Sequence, residues 1–451
     1  MEDLQYLELE KDYEFEVRVK DENTFFAGNL KLTNSKCTLS VMTERNFSEG
    51  FTSSTFIECF TIKYKFIIYG LKIIERSSNF LARNGNEIVG FEKVTFEISF
   101  VVFSKCMSFK NNNLVYNFQL FSSKINEWIG VTKNQVEFFK DSNEFELMEF
   151  STDILNDGEL SCNYTKIQDA DALKLSYGAK LLPNLCMNFF EPRNLSDSLN
   201  EILKFYDFFT LLIGGDFKVD CIKLLLNLDT YQDVSIYFSD EFVKKMPEWV
   251  ILPLGHNLVN NIDDIQPLEL TCFSNFYALK TEKQDVFSKY IRYKRLNSNE
   301  EKFLGYFRLL ESLTYHEDQY LDNELLAQFL SDSESNMIEV LNAKRSTIKD
   351  FSKRIIRLNK SKLNTESCIR RYYNSLPGEI KNLIDFNIKE LNNVTKLRND
   401  ITHANPYEVN SEDFIKYIKF VHLMLYLSLV NLVGISYNTC MPVISRINRR
   451  Y

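Results

Sequence analysis

The sequence predicts an α+β multidomain protein, with an antiparallel β-rich, sandwich-like region first and an all-α helical bundle after it. Three observations carry that prediction. At 451 residues the chain exceeds one ordinary hydrophobic core. Apolar residues alternate with period two through residues 1–150, the mark of half-buried strands. From 276 onward the apolar spacing changes to three and four, the mark of amphipathic helices. These readings divide the chain into a β-rich domain over 1–150, a mixed α/β continuation over 151–275 and a helical domain over 276–451.

The strand segments are Tyr13-Glu-Phe-Glu-Val-Arg-Val, Phe56 to Ile74, Val94-Thr-Phe-Glu-Ile-Ser-Phe and Leu114-Val-Tyr-Asn-Phe-Gln-Leu. Arg83-Asn-Gly-Asn and Asn111-Asn-Asn punctuate them as turns. Leu195 to Ile213 has helical spacing, with Ser196 or Asp197 as N-cap and Gly214-Gly215 as the stop. Strand character returns at Phe217 to Leu226 and Val234 to Phe238. In the helical part, Phe303, Phe307, Leu310 and Leu313 form one stripe over 300–317. A short helix over 323–330 and one long helix over 334–358 follow. Pro377-Gly378 opens a helix that runs toward Arg398, and Ser411 caps a last large one over 411–433.

Composition is that of a globular protein, 45% hydrophobic and 25% charged. The net charge of −9 excludes a globally basic nucleic-acid binder but not a local basic face. Nine cysteines occur without a CxxC, which argues against a disulfide framework or zinc knuckle and for buried thiols. The acidic start Met1-Glu-Asp-Leu lacks the basic, apolar pattern of a signal peptide. The apolar run 414–435 contains Lys416, Lys419, His422 and Asn431, so it reads as a buried helix rather than a membrane span. Cytoplasmic residence, with no membrane partner, is the expectation.

The chain has four histidines. His256 lies in a loop-like stretch and receives no role. His316 ends a helix among acidic neighbours and reads as solvated. His422 lies on the apolar helix and reads as a core residue. His403 stands apart, in Lys396-Leu-Arg-Asn-Asp-Ile-Thr-His-Ala-Asn-Pro, five positions after Arg398. Five residues on a continuous helix leave two side chains about 140° apart. Convergence on one phosphate therefore requires the helix to end near Asp400 and His403 to fold back; β-branched Ile401 and Thr402 and the following Pro406 favour an early end.

A guanidinium is permanently charged and forks onto phosphate oxygens. An imidazole titrates near neutrality and moves protons to and from a 2′-hydroxyl or a leaving oxygen. RNA supplies its own nucleophile, so neither metal nor cofactor is required. The pairing suits RNA cleavage, but spacing alone is a weak signal. The competing reading is that Arg398 and His403 are cations at a helix C-terminus, where the dipole favours them. Polar Asn399, the apolar helix after the motif and a basic segment over 344–371 favour the first reading. In that segment Arg345, Lys349, Lys353 and Arg357 recur every four residues and form one stripe, able to hold an RNA backbone or simply to face solvent.

The motif Arg398-Asn-Asp-Ile-Thr-His403 resembles the signature of the HEPN superfamily, and Phe303-Leu-Gly-Tyr-Phe-Arg-Leu-Leu-Glu-Ser-Leu resembles the opening helix of that domain in ApeA-type anti-phage proteins. Gly90-Phe-Glu-Lys-Val-Thr-Phe-Glu-Ile and Glu127-Trp-Ile are similar, more loosely, to the β-rich domain that precedes it there. The resemblance implies a metal-independent endoribonuclease of abortive infection that cleaves cellular RNA, often tRNA, and leaves a 2′,3′-cyclic phosphate. It places catalysis on Arg398, His403 and Asn399, with Glu311 and Asp400 in support. It also implies a homodimer with the site formed across two HEPN domains, and a β-rich region that answers to a phage-derived trigger. The alternative is a non-catalytic HEPN-like module for nucleic-acid binding or dimerisation. A metal-dependent nuclease fits poorly, since no His/Asp/Glu cluster has ligand spacing. No phosphate-binding glycine motif is present, and Gly214-Gly215 is too short to be one.

Overall fold

The computed structural model describes residues 4–44, 46–84, 87–132, 135, 148–154, 158–171, 176–226, 234–239, 250–254, 268–360 and 362–448. His256 and the turn residues Gly85 and Asn86 lie outside them. Contacts divide the chain into two compact units, Met1–Ser288 and Lys289–Tyr451.

The first unit is built on strands β1 (Tyr13–Asp21), β2 (Thr24–Leu32), β3 (Cys37–Thr43), β4 (Phe56–Phe60), β5 (Lys65–Tyr69), β6 (Lys72–Asn84), β7 (Glu87–Glu97), β8 (Phe100–Ser104), β9 (Val115–Phe121), β10 (Met148–Ile154), β11 (Gly158–Asp171), β12 (Ser176–Arg193), β13 (Cys221–Leu226) and β14 (Val234–Tyr237). They form one hydrogen-bonded sheet in the order β10-β11-β12-β9-β13-β14-β8-β5-β4-β1-β2-β3-β7-β6, and the pairings are antiparallel. The antiparallel β-rich character predicted from the alternation is present. The strands are not split between two separately bonded sheets, and the mixed stretch after 151 adds its strands to the same sheet.

Burial follows the side-chain period. In β1, Phe15, Val17 and Val19 are buried and the residues between them face outward. Gly28 sits opposite Val17, and a Cβ there would come within 2.6 Å of Val19 Cγ2, so close packing explains that glycine. Strands β5, β8 and β14 are buried throughout, as strands covered on both faces must be.

Helix α1 (Ser123–Ile129), which alternation did not reveal, contributes the fully buried Trp128. Helix α2 (Leu195–Ile213) has the predicted limits, but its cap is Asn194, whose side chain accepts from the Asp197 N–H, and not Ser196 or Asp197. Its stop is Gly214, left-handed at φ 87. Phe205 and Phe209 of α2 meet Phe118 and Trp128, which closes a core between helix and sheet. Helix α3 (Thr271–Ala278) joins that core through Phe273, and α4 (Thr281–Arg295) spans the division between the units.

The second unit contains α5 (Asn299–Thr314), α6 (Asn323–Asp332), α7 (Glu334–Val340), α8 (Arg345–Asn359), α9 (Thr365–Ser375), α10 (Gly378–Leu383), α11 (Leu391–Thr402), α12 (Ser411–Leu432) and α13 (Tyr437–Asn448). The long helix predicted over 334–358 is broken, because Asn342 takes a left-handed conformation at φ 45 between α7 and α8. The helix predicted from Pro377 to Arg398 is likewise two helices. Ile384 turns extended, and a single 3-10 turn, Ile388–Glu390, leads into α11. Asn410, not Ser411, caps α12 by accepting from the Asp413 N–H.

Helix α12 is the axis of this unit. It is long and apolar enough to cross a membrane by composition, yet Tyr417, Ile418 and every residue from Phe420 to Val430 are buried inside the unit. His422 is buried there. Its ring lies against Tyr306, and its Nε2 is 2.8 Å from the Tyr290 hydroxyl. That satisfied polar contact is what a core histidine needs.

Helix α5 packs along α12 and depends on Gly305, where a Cβ would come within 2.4 Å of the Tyr293 ring. Gly305→Ala adds helix propensity worth about 1 kcal/mol, but the overpacking costs about 1–3 kcal/mol. The clash is with the base of a half-buried aromatic ring rather than with the far end of a flexible side chain, so the steric cost dominates. A net loss of up to about 2 kcal/mol is expected, seen as a lower Tm; a raised Tm contradicts the packing described.

Candidate active site

Three helices of the second unit converge on Arg398. Helix α11 carries it, α5 contributes Glu311 and Phe307, and α9 contributes Thr365. Arg398 Nη2 donates to Glu311 Oε2 at 3.0 Å, and Nη1 donates to Asn399 Oδ1 at 2.9 Å. The guanidinium carbon lies 5.6 Å from the Phe307 ring centroid. Glu311 is held in turn, because Thr365 Oγ1 donates to its other carboxylate oxygen. Two of the five guanidinium N–H groups are thereby occupied, and three make no hydrogen bond among the described residues. The arginine side chain is 26% exposed, oriented but reachable.

The motif helix is anchored along its whole length. At its start, both carboxylate oxygens of Glu390 accept from Lys416 Nζ of α12, at 3.1 and 2.9 Å. That hydrogen bond is the main cause raising the lysine's pKa. Arg370 Nη1 donates to the Ile388 carbonyl at 3.2 Å, tying α9 to the same turn. Beyond the helix end, Tyr407 donates to Glu300, and this bond pushes the tyrosine pKa up to about 12. The loop that follows the motif is thus fastened to the first turn of α5.

The end of α11 differs from the sequence expectation. The helix does not stop near Asp400; it continues to Thr402, and His403 is its C-cap at φ −96, ψ 7. Ala404 then takes the left-handed conformation at φ 53. The Asn405 N–H returns to the Asp400 carbonyl at 2.9 Å, and the Ala404 N–H to Ile401 at 3.2 Å. This paired closure satisfies the last carbonyls, and so offsets the weak helix preference of Ile401 and Thr402. Pro406 falls beyond the closure, too late to shorten the helix. His403 therefore closes the helix rather than following it, and no hydrogen bond joins it to Arg398 among the described residues. Its side chain is exposed and makes no hydrogen bond or ion pair among the described residues.

The supporting residues separate in the same way. Glu311 and Asn399 touch Arg398 directly. Asp400 contributes its backbone carbonyl to the helix end, and its carboxylate makes no hydrogen bond among the described residues. The stripe Arg345, Lys349, Lys353 and Arg357 lies exposed along α8. Arg345 is paired with Glu334 at 2.6 Å, while Lys349, Lys353 and Arg357 make no ion pair among the described residues. His316 is exposed. Thr365 and Phe307 were missed as site residues: the first reads only as the start of a helix, the second only as an apolar position.

Residues 304–439 match the family model of the Apea-like HEPN domain. The chain carries a HEPN domain of the ApeA type. The match begins within α5 and ends within α13, so it takes in Phe307, Glu311, Thr365 and the whole Arg398–His403 motif. No curated protein and no solved structure matches the chain. Among the described residues, no group of three or more His, Cys, Asp or Glu side chains is placed to hold a metal ion. The nine cysteines are all buried, none of them in a disulfide, and burial raises the Cys186 pKa to about 11. Such a thiol is mostly protonated at neutral pH and makes a poor nucleophile.

Outside the HEPN domain, the outward face of β1, β2 and β3 forms a groove of about 1460 Å³ in the first unit. Arg18 lies over the Phe25 ring at 4.2 Å there, and Ile62, at the turn between β4 and β5, is 98% exposed.

Proposed function

We propose that this protein is a metal-independent endoribonuclease of anti-phage abortive infection, acting in the cytoplasm on cellular RNA such as tRNA. The observation that carries the reading is the state of Arg398. It is held by a carboxylate, an amide and an aromatic face, keeps three N–H groups uncommitted among the described residues and stays open to solvent, five residues before an exposed histidine. A cation that merely capped a helix would need no such scaffold of three helices.

In the proposed reaction the Arg398 guanidinium binds the scissile phosphate and stabilises the charge that grows on its oxygens. The 2′-oxygen attacks phosphorus, the P–O5′ bond breaks, and the product is a 2′,3′-cyclic phosphate with a free 5′-hydroxyl. The 2′-hydroxyl proton passes to an imidazole and a proton is delivered to O5′. Within one chain no hydrogen bond joins Arg398 and His403 among the described residues. That arrangement supports a homodimer in which the histidine of one copy and the arginine of the other share a phosphate, with two such pairs about a two-fold axis. A phage-derived trigger acting on the β-rich region, with the β1–β3 groove as its place of contact, completes the proposal. Such control suits an enzyme that is toxic when unrestrained.

Sequencing of RNA 5′ ends after expression tests the reading. New ends and growth arrest with the wild type, absent with His403→Ala, are expected; identical ends from both contradict it. The non-catalytic alternative predicts salt-sensitive RNA retention with no new ends at all. Replacing Lys349, Lys353 and Arg357 together by alanine should lower the slope of log affinity against log salt by about 2–3, one unit per lost phosphate contact. An unchanged slope would leave the stripe a solvated face.

A further inference from the structure

Between Glu311 and Thr365 the chain leaves the site and returns to it through an arm made of α6, α7 and α8. Buried Asn359 closes the base of the arm. Its amide accepts from the Leu321 N–H and donates to the Leu321 carbonyl, both at 2.9 Å, and its own carbonyl accepts from the Tyr320 N–H at 3.2 Å. Six large apolar side chains on the arm, Leu325, Phe329, Val340, Leu341, Phe351 and Leu358, are 48–72% exposed. A monomeric soluble protein has no use for so many on so short a segment, and such surfaces mark interaction sites.

Two stripes organise this surface. On α6, Leu325, Phe329 and Asp332 are spaced i, i+4 and i+7 and share one exposed face. On α8, Phe351, Arg354 and Leu358 are spaced i, i+3 and i+7 and share another. That face is separate from the flank bearing Lys349, Lys353 and Arg357. Asp332 and Arg354 make no ion pair among the described residues. Each stripe therefore calls for an apolar partner bearing one charge of the opposite sign, and the other stripe of this same chain supplies it.

We infer that two copies pair through the arms, with the α6 stripe of each seated on the α8 stripe of the other. An isologous contact of this kind meets both needs twice about one two-fold axis. Six apolar side chains with their polar surround offer several hundred Å² per copy, the scale of one side of a standard interface of about 800 Å² per partner. Nucleic acid would answer Arg354 but neither Asp332 nor the apolar residues. The inference rests on the proposed pairing of two copies, not on the cleavage chemistry.

The test is the association state of the full chain by sedimentation velocity, for the wild type, Asp332→Arg, Arg354→Asp and an equimolar mixture of the two variants. The wild type should be a dimer. Each variant alone sets like charges against each other twice, and its dissociation constant should rise on the order of tenfold or more. In the mixture one copy carries two acids and the other two bases, so a heterodimer should form again. Phe329→Glu should be monomeric alone and in every mixture. A wild-type monomer overturns both the surface and the pairing of copies. A dimer indifferent to all three substitutions overturns the surface and leaves the pairing intact. Failure of the mixture to associate, where the wild type does, also overturns it. Cyclic-phosphate ends released from RNA by the same samples report on the chemistry separately.

Discussion

His403→Ala should lower RNA cleavage by about 10²–10⁴-fold while leaving the fold intact. The magnitude is that of general acid–base catalysis lost outright, since no other described histidine can take over. His422 is sealed in the core on Tyr290 and Tyr306, and His316 belongs to the turn after α5. The fold should be indifferent because the imidazole is exposed and bonds to nothing among the described residues. The helix end it occupies is closed by the backbone of Ala404 and Asn405. Cleavage measured with purified RNA, beside a circular-dichroism melt, checks both halves. A variant that melts early would mean the ring is structural after all.

Arg398→Lys should cost nearly as much, about 10²–10³-fold in cleavage, although the charge is kept. The guanidinium has one Nη on Glu311, the other on Asn399 and its carbon near the Phe307 ring, and in the proposed reaction its remaining N–H groups take the phosphate. An ammonium is a point charge on a flexible stem and cannot hold those directions together. If Lys binds Glu311 it turns from the phosphate; if it binds phosphate it leaves the carboxylate unpaired. The loss should therefore fall mainly on the turnover of bound RNA and less on binding. Near-wild-type turnover by the lysine variant would show that only net charge matters.

Much of this was legible before any coordinates. Period-two alternation located β1 and β9, the run from Leu195 to Ile213 located α2, and the Arg398–His403 motif with the α5 stripe located the HEPN domain. What escaped was decided by contacts distant in sequence or by backbone closure. Nothing in the local pattern reveals that β13 pairs with β9, or that β14 lies between β13 and β8. Thr365 reads as the first residue of a helix, and only the packing of α9 against α5 makes it the support of Glu311. The end of α11 was misjudged because β-branched residues and a nearby proline looked sufficient to stop it. A left-handed alanine, which carries a steric penalty that glycine does not, was not an obvious place for the chain to turn. The break at Asn342 did carry a local signal, because asparagine adopts the left-handed conformation more readily than other non-glycine residues.

In the proposed reaction Arg398 and His403 act together on one phosphodiester. The most direct measurement is the chemical form of the 3′ ends that the purified full-length protein makes on tRNA in EDTA, read by mass spectrometry. The wild type should leave 2′,3′-cyclic phosphate ends, and neither His403→Ala nor Arg398→Ala should leave any above background. Cleavage that requires added metal, or that both variants perform like the wild type, would contradict it.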